Sequence, residues 1–142
     1  MSKRRPCDAG GSVRAAKRYC LSQAAKLGVI ESVSLQNFMC HDNLKFEFEP
    51  HVNFIIGPNG SGKSAVATGI ILALGGRSSV TGRYTNIKGF VKEGKKQAVV
   101  SVTLKNCGDL SYEPEKYGNK VIIERHFTTN NSSSYKIKSE TG

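Results

Sequence analysis

Hydrophobic and polar positions alternate most cleanly in LKFEFE. Leu44, Phe46 and Phe48 fall on one face, and Lys45, Glu47 and Glu49 on the other. A period of two predicts a strand with one buried side, and Pro50 ends it. Upstream, VIESVSLQNF (Val29–Phe38) has strand-like stretches. Downstream, Val52-Asn53-Phe54-Ile55-Ile56 is almost continuously apolar, the pattern of a parallel strand buried on both faces. Ala65 to Leu74 is apolar nearly all round and predicts a buried helix, with Gly75-Gly76 as its stop. The stretch Arg77–Lys96 is polar, basic and loop-like. Gln97–Asn106 and Asn119–Phe127 read as strands, with a turn at Cys107-Gly108-Asp109. Tyr135–Lys138 alternates and is expected to pair back across the TTNNSSS turn. No internal repeat or heptad run interrupts this order.

The junction between the apolar strand and the apolar helix carries the chemistry. Gly57, Gly62, Lys63 and Ser64 are in register with G-x-x-x-x-G-K-[ST]. A polyphosphate needs several donors converging on it. Successive backbone N–H groups converge only if the chain curls into a nest, which glycine permits. The following helix turns its N-terminal N–H groups on the same anion. Gly57, Pro58, Asn59, Gly60, Ser61, Gly62, Lys63 and Ser64 are therefore the candidate phosphate-binding residues. Lys63 would reach the β- and γ-phosphates of ATP, and the Ser64 hydroxyl would ligate Mg²⁺. The alternative is a glycine-rich turn with an incidental lysine. Strand, loop and helix in the required order argue against it.

Charge adds a second region. The formal net charge is +10 over 142 residues. Residues 1–28 hold seven basic side chains against one acidic, Asp8. This leader is rich in Gly, Ser and Ala and is expected to lack a fold of its own. Its KRR and KR clusters are separated by eleven residues, as in a bipartite nuclear-localisation signal. A solvated terminus and a mitochondrial targeting peptide are the alternatives, and clustering of the basic residues disfavours the latter. Cys7, Cys20, Cys40 and Cys107 lack C-x-x-C spacing, which argues against a zinc site or a disulfide scaffold and for a reduced, intracellular chain. No stretch reaches transmembrane length and no secretory signal is visible, so no membrane partner is expected.

The layout narrows the type of phosphate-loop protein. Two strands precede the loop and a strand meander follows the first helix, whereas small kinases and GTPases usually continue βαβα. GVIESVSLQNFMCHDNLKFEFEPHVNFIIGPNGSGKSAVATGIILALGGR, then IKGFVKEG, YGNKVIIERHF and SYKIKSETG, resemble the N-terminal head of the structural maintenance of chromosomes (SMC) family, in its DNA-repair branch. The resemblance covers Gly28 to Gly142. It implies an α/β fold: a partial P-loop NTPase, the N-terminal lobe of an ABC-type ATPase head, with an antiparallel β-subdomain. Residues 1–27 would be a basic arm and 28–142 an incomplete head.

By the same resemblance, Gly57 to Ser64 would be the Walker A loop, binding ATP with Mg²⁺. Arg83 falls where SMC heads carry an arginine loop near nucleotide and DNA, and Arg77 is a weaker candidate; either could be a solvated loop charge. Asn37 to His41 sit where family heads run a segment beside the nucleotide. The lysines of KEGKK could contact DNA phosphates or line a solvated turn. The implied partners are the fifth SMC protein as heterodimer mate, non-SMC subunits including a kleisin, and DNA. The implied location is the nucleus and its chromosomes.

Departures from the family pattern bear on activity. The Q-loop glutamine, coiled-coil arms, hinge, signature motif, Walker B Asp and catalytic Glu are missing from this sequence. VIIER (Val121–Arg125) has no Asp after its apolar run and reads as a structural strand. The chain is thus expected to be a fragment or truncated product, with weak or no nucleotide binding alone and no catalytic residue for hydrolysis. Two other classes stay open: a self-sufficient small P-loop kinase, and a non-enzymatic basic module that grips nucleic acid.

Overall fold

The computed structural model of the protein describes residues 27–141. The basic arm, with its localisation clusters and with Cys7 and Cys20, lies outside the described residues. Five strands form one antiparallel sheet: β1 (Ile30–Phe38), β2 (His41–Glu47), β3 (Gln97–Lys105), β4 (Lys120–Thr128) and β5 (Ser133–Lys138), in the order β2-β1-β3-β4-β5. Helix α1 (Lys63–Ala73) packs on one face, and a single-turn helix α2 (Pro114–Tyr117) sits in the β3–β4 connection.

Alternation places the core. Val33 and Leu35 of β1 and Ala98, Val100 and Val102 of β3 point to the helix, while Ser32, Ser34, Ser101 and Thr103 take the opposite face. Facing them, α1 buries Ala65, Val66, Leu72 and Ala73. Gly69 lets the helix approach closely, since a Cβ there would lie 2.5 Å from the Leu35 side chain. At one end of the core Phe38 stacks on Phe90 at 5.7 Å, with Phe127 at 6.2 Å.

The β2 pattern, the helix and the three later strands form where the sequence predicts. The helix stop at Gly75-Gly76 forms too: Gly75 takes φ +97, and the Gly76 N–H donates to Ile71 O at 2.8 Å, a six-to-one closure. VIIER lies within β4, as expected of a structural strand.

Two expectations are corrected. Residues 52–56 are extended but pair with no strand among the described residues. Val52, Phe54 and Ile56 are 71, 81 and 90% exposed, while Asn53 and Ile55 turn inward. A buried parallel strand needs neighbours on both sides, and the sheet described here is a separate antiparallel one that ends at β2. For the same reason α1 is covered on one side only, leaving Ile71 and Leu74 partly exposed. The loop-like stretch 77–96 also does more than connect. It forms two 3₁₀ turns, Ser78–Thr81 and Ile87–Phe90, and the second delivers Phe90 to the core with no exposed surface.

Candidate functional site

The glycine-rich turn closes onto the first residue of α1. Gly60 and Gly62 take φ +85 and +101, values that a side chain would strain. A Cβ on Gly57 would fall 2.6 Å from Ser61 Oγ and 3.2 Å from Ser61 Cβ, so a side chain there would have to displace Ser61. The Ser61 N–H donates to Pro58 O at 3.3 Å, and the Gly62 carbonyl accepts from Val66 at 2.9 Å as the first helical bond. The turn thus curls tightly and presents the N-terminus of α1, with no acidic residue in its first turn. Unpaired N–H groups and the helix dipole leave a positive end there.

Lys63 folds back over the loop. Its ammonium donates to the Gly57 carbonyl and, at 2.7 Å, to the Pro58 carbonyl. Both acceptors are neutral, so an anion in the loop would compete for the same protons with a stronger, charge-assisted bond.

A cleft of about 170 Å³ opens beside this turn. The turn and the start of α1 contribute Asn59, Gly60, Gly62, Lys63, Ser64 and Ala65 to its lining, the β1–β2 reversal Met39, Cys40 and His41, and the stretch after α1 Arg83. Its charged side chains are cationic, and no carboxylate lines it. The larger groove on the polar face of the sheet, about 410 Å³, is different in kind. Three of its four carboxylates already meet lysines, Glu31 and Glu140 with Lys120, and Glu47 with Lys45, and Glu49 adds a further negative charge, so it offers little to a phosphate.

The two candidate arginines are separated. Arg83 lines the cleft. Its segment is pinned by Ser78 Oγ donating to Thr85 O at 2.7 Å and by the Tyr84 ring edge-on to Phe90 at 4.9 Å. Arg77 caps the first 3₁₀ turn, beyond the far end of α1, and does not line the cleft. Eleven helical residues span about 16 Å, so Arg77 and the phosphate loop lie at opposite poles of one helix. The KEGKK lysines sit outside the cleft, and Lys92 is paired with Asp42 at 2.5 Å.

One functional contact was not visible in advance. Arg125, within VIIER, donates to Leu72 O at 2.7 Å and Gly76 O at 3.0 Å at the C-terminal end of α1. A cation at that end complements the dipole, and the ring faces of Tyr135 and Phe127 pack on it at 4.8 and 5.3 Å. Burial pushes the guanidinium's pKa down, partly offset by Tyr135. The available signal was weak: a single arginine following the apolar run Val121–Ile123, with charged or polar neighbours at Glu124 and His126.

Comparison with known proteins agrees with this architecture. A family model described as an AAA domain matches residues 32–142. Structural maintenance of chromosomes protein 6 of Homo sapiens is 51% identical over 120 residues, 84% of this chain and 11% of the relative. The Schizosaccharomyces pombe protein of the same name is 50% identical over 117 residues, 82% of this chain and 10% of the relative. The chain belongs to the SMC family. Solved SMC structures share its fold. One, from work on ATP-driven dimerization and DNA stimulated activation of SMC ATPases, is 27% identical with a TM-score of 0.66, covering 78% of this chain and 69% of that one. The Smc head domain of Pyrococcus furiosus, bound to the C-terminal domain of ScpA, is 26% identical with a TM-score of 0.65, covering 78% and 29%. This SMC segment spans about a tenth of the length of the curated relatives it matches. It is an α/β segment with the fold of SMC head domains.

Proposed function

We propose that Gly57 to Ser64 hold the phosphates of ATP, and that this chain supplies the phosphate-binding half of an SMC head site. The observation that carries the reading is the Lys63 ammonium resting on the carbonyls of Gly57 and Pro58, above a turn in which Gly60 and Gly62 hold a left-handed backbone. Polyphosphate fits such a cradle because the site offers backbone N–H groups, a helix N-terminus and a lysine, and no carboxylate. Ser64 would hold Mg²⁺ through its hydroxyl, the remaining ligands coming from phosphate and water. The metal, when bound, would neutralise phosphate charge. Arg83 would add a second cation from across the cleft; Arg77 would stay at the far end of the helix.

Residues 28–142 would then act as an incomplete head that follows the basic arm of residues 1–27. Hydrolysis requires a group that orients or deprotonates water, and the Walker B Asp and catalytic Glu that SMC heads use for this are missing from the sequence, so weak binding without turnover is expected of this chain. The exposed row of Val52, Phe54 and Ile56 supports completion of the nucleotide fold by further parts of the full-length protein. In that setting we assign the segment to ATP-dependent work on DNA in repair, recombination and chromosome maintenance. The fifth SMC protein would be its mate and a kleisin among its other subunits, on chromosomes in the nucleus. Supporting this are the named relatives and the ScpA domain bound to a similar head.

The test is titration of the chain with a fluorescent ATP analogue and Mg²⁺. Lys63→Ala should abolish whatever affinity the wild type has. Equal affinity in the two proteins would overturn the phosphate-loop reading, and salt-sensitive nucleic-acid binding indifferent to Lys63→Ala would favour the basic-module alternative.

A further inference from the structure

Resting on the reading of the cleft as a nucleotide site, this inference concerns the wall opposite the phosphate loop. The reversal from β1 to β2 is strained. Asn37 and Met39 take φ +49 and +54, a region asparagine tolerates and methionine seldom adopts. The strained turn is also the wall, because Met39, Cys40 and His41 line the cleft. It is closely fitted to the loop: a Cβ on Gly62 would lie 2.6 Å from Leu44 Cδ2 and 3.2 Å from His41 Nε2.

Two sets of bonds hold this turn in place. The first is backbone. Phe38 bridges Val91, the Met39 N–H donates to Phe90 O, and the Lys92 N–H donates to Asn37 O, both bonds at 2.8 Å. The second is ionic. Asp42, the residue after His41, accepts from Lys92 at 2.5 Å, and Lys95 lies 3.9 Å from its other oxygen. The hydrogen bond from Lys92 holds the Asp42 carboxyl below the usual carboxylate range. None of these three side chains lines the cleft.

We propose that Asp42 is a positioning residue for the nucleotide cleft. Paired with Lys92 and Lys95, it clamps the Met39–His41 wall against the phosphate loop, so nucleotide affinity depends on an ion pair outside the cleft. The Asp42 side chain is 66% exposed, and exposed pairs contribute little to global stability. The clamp therefore acts on the wall and leaves unfolding almost unchanged, which separates positioning from a merely structural role.

The experiment uses the 142-residue chain and four variants: Asp42→Asn, Lys92→Gln, the two combined, and the exchanged pair Asp42→Lys with Lys92→Asp. Amide resonances of His41, Gly60 and Gly62 are recorded without nucleotide, alongside affinity for a fluorescent ATP analogue and the thermal midpoint. Either single change should move the His41 and Gly62 resonances and weaken affinity several-fold at an unchanged midpoint. The combined variant should be no worse than either single one, because both remove the same interaction. The exchanged pair should recover part of the loss. Stationary His41 and Gly62 resonances in Asp42→Asn, or additive effects in the combined variant, would overturn the proposal. If the wild type binds no analogue, the nucleotide reading fails on its own, and the resonances still judge the clamp.

Discussion

Arg125 and Leu72 are fifty-three residues apart in sequence and joined by a 2.7 Å hydrogen bond. The bond ties the middle of β4 to the last turn of the helix whose first turn carries the phosphate loop. The Tyr135 hydroxyl donates to the same carbonyl at 3.4 Å, so β5 joins the tie. Removing the guanidinium takes a donor from the Gly76 carbonyl and the shortest bond from the Leu72 carbonyl, which keeps longer ones from Tyr135 and the Gly75 N–H. Arg125→Ala should cost about 2 kcal/mol, the range of hydrogen bonds to charged groups. Arg125→Lys should recover only part of this, since an ammonium lacks the planar fork. Denaturant unfolding of the two variants checks both expectations.

Gly62→Ala should damage fold and site together. At φ +101 an alanine is strained, and its Cβ would meet Leu44 and His41. The expected loss is about 1–3 kcal/mol, accompanied by loss of ATP-analogue binding. Chemical denaturation gives the first quantity and titration the second.

Phe90→Ala should be among the most destabilising single changes in the chain. The ring is fully buried, stacked on Phe38 and met edge-on by Tyr84. Truncating a buried phenylalanine costs about 3–5 kcal/mol. The same ring anchors the segment that carries Arg83, so near-ultraviolet circular dichroism should report loss of aromatic packing along with stability.

Glu124 sets an acid limit. Burial raises its pKa, but hydrogen bonds from Lys138 and His126, at 3.0 and 3.3 Å, more than offset that and leave it lowered. A carboxyl lowered in the folded state contributes stability above its unfolded pKa and loses it as pH falls through the folded value. The wild-type thermal midpoint should therefore drop below about pH 4, and Glu124→Gln should flatten that part of the profile. Thermal melts across the acid range are the measurement.

Serine at Phe54 and Ile56 should leave stability within about 0.5 kcal/mol, as for surface positions, because both side chains are more than four-fifths exposed. Self-association, followed by sedimentation, should fall as the apolar row disappears.

What was legible depended on how local the physics is. Period-two alternation in Leu44–Glu49 needs only neighbouring residues to be read, and it held. The glycine-rich turn at the start of α1 was legible for the same reason, since glycines, lysine and serine at fixed spacing encode the turn themselves. Val52–Ile56 shows the limit: an apolar run reveals a wish for burial and not whether a partner strand is there to grant it. Phe90 hid inside a polar stretch because a single aromatic carries no period. The ion pair of Asp42 with Lys92 and the tie of Arg125 to Leu72 span about fifty residues each, and nothing short of the folded chain brings them together.

All five strands find their hydrogen-bond partners within residues 30–138, so the sheet needs no strand from outside that range. Val52, Phe54 and Ile56 nevertheless stay bare beside it, on a segment whose backbone another strand can zip onto. An isolated chain thus carries its own aggregation hazard, and a single charged residue in that row would act as its gatekeeper.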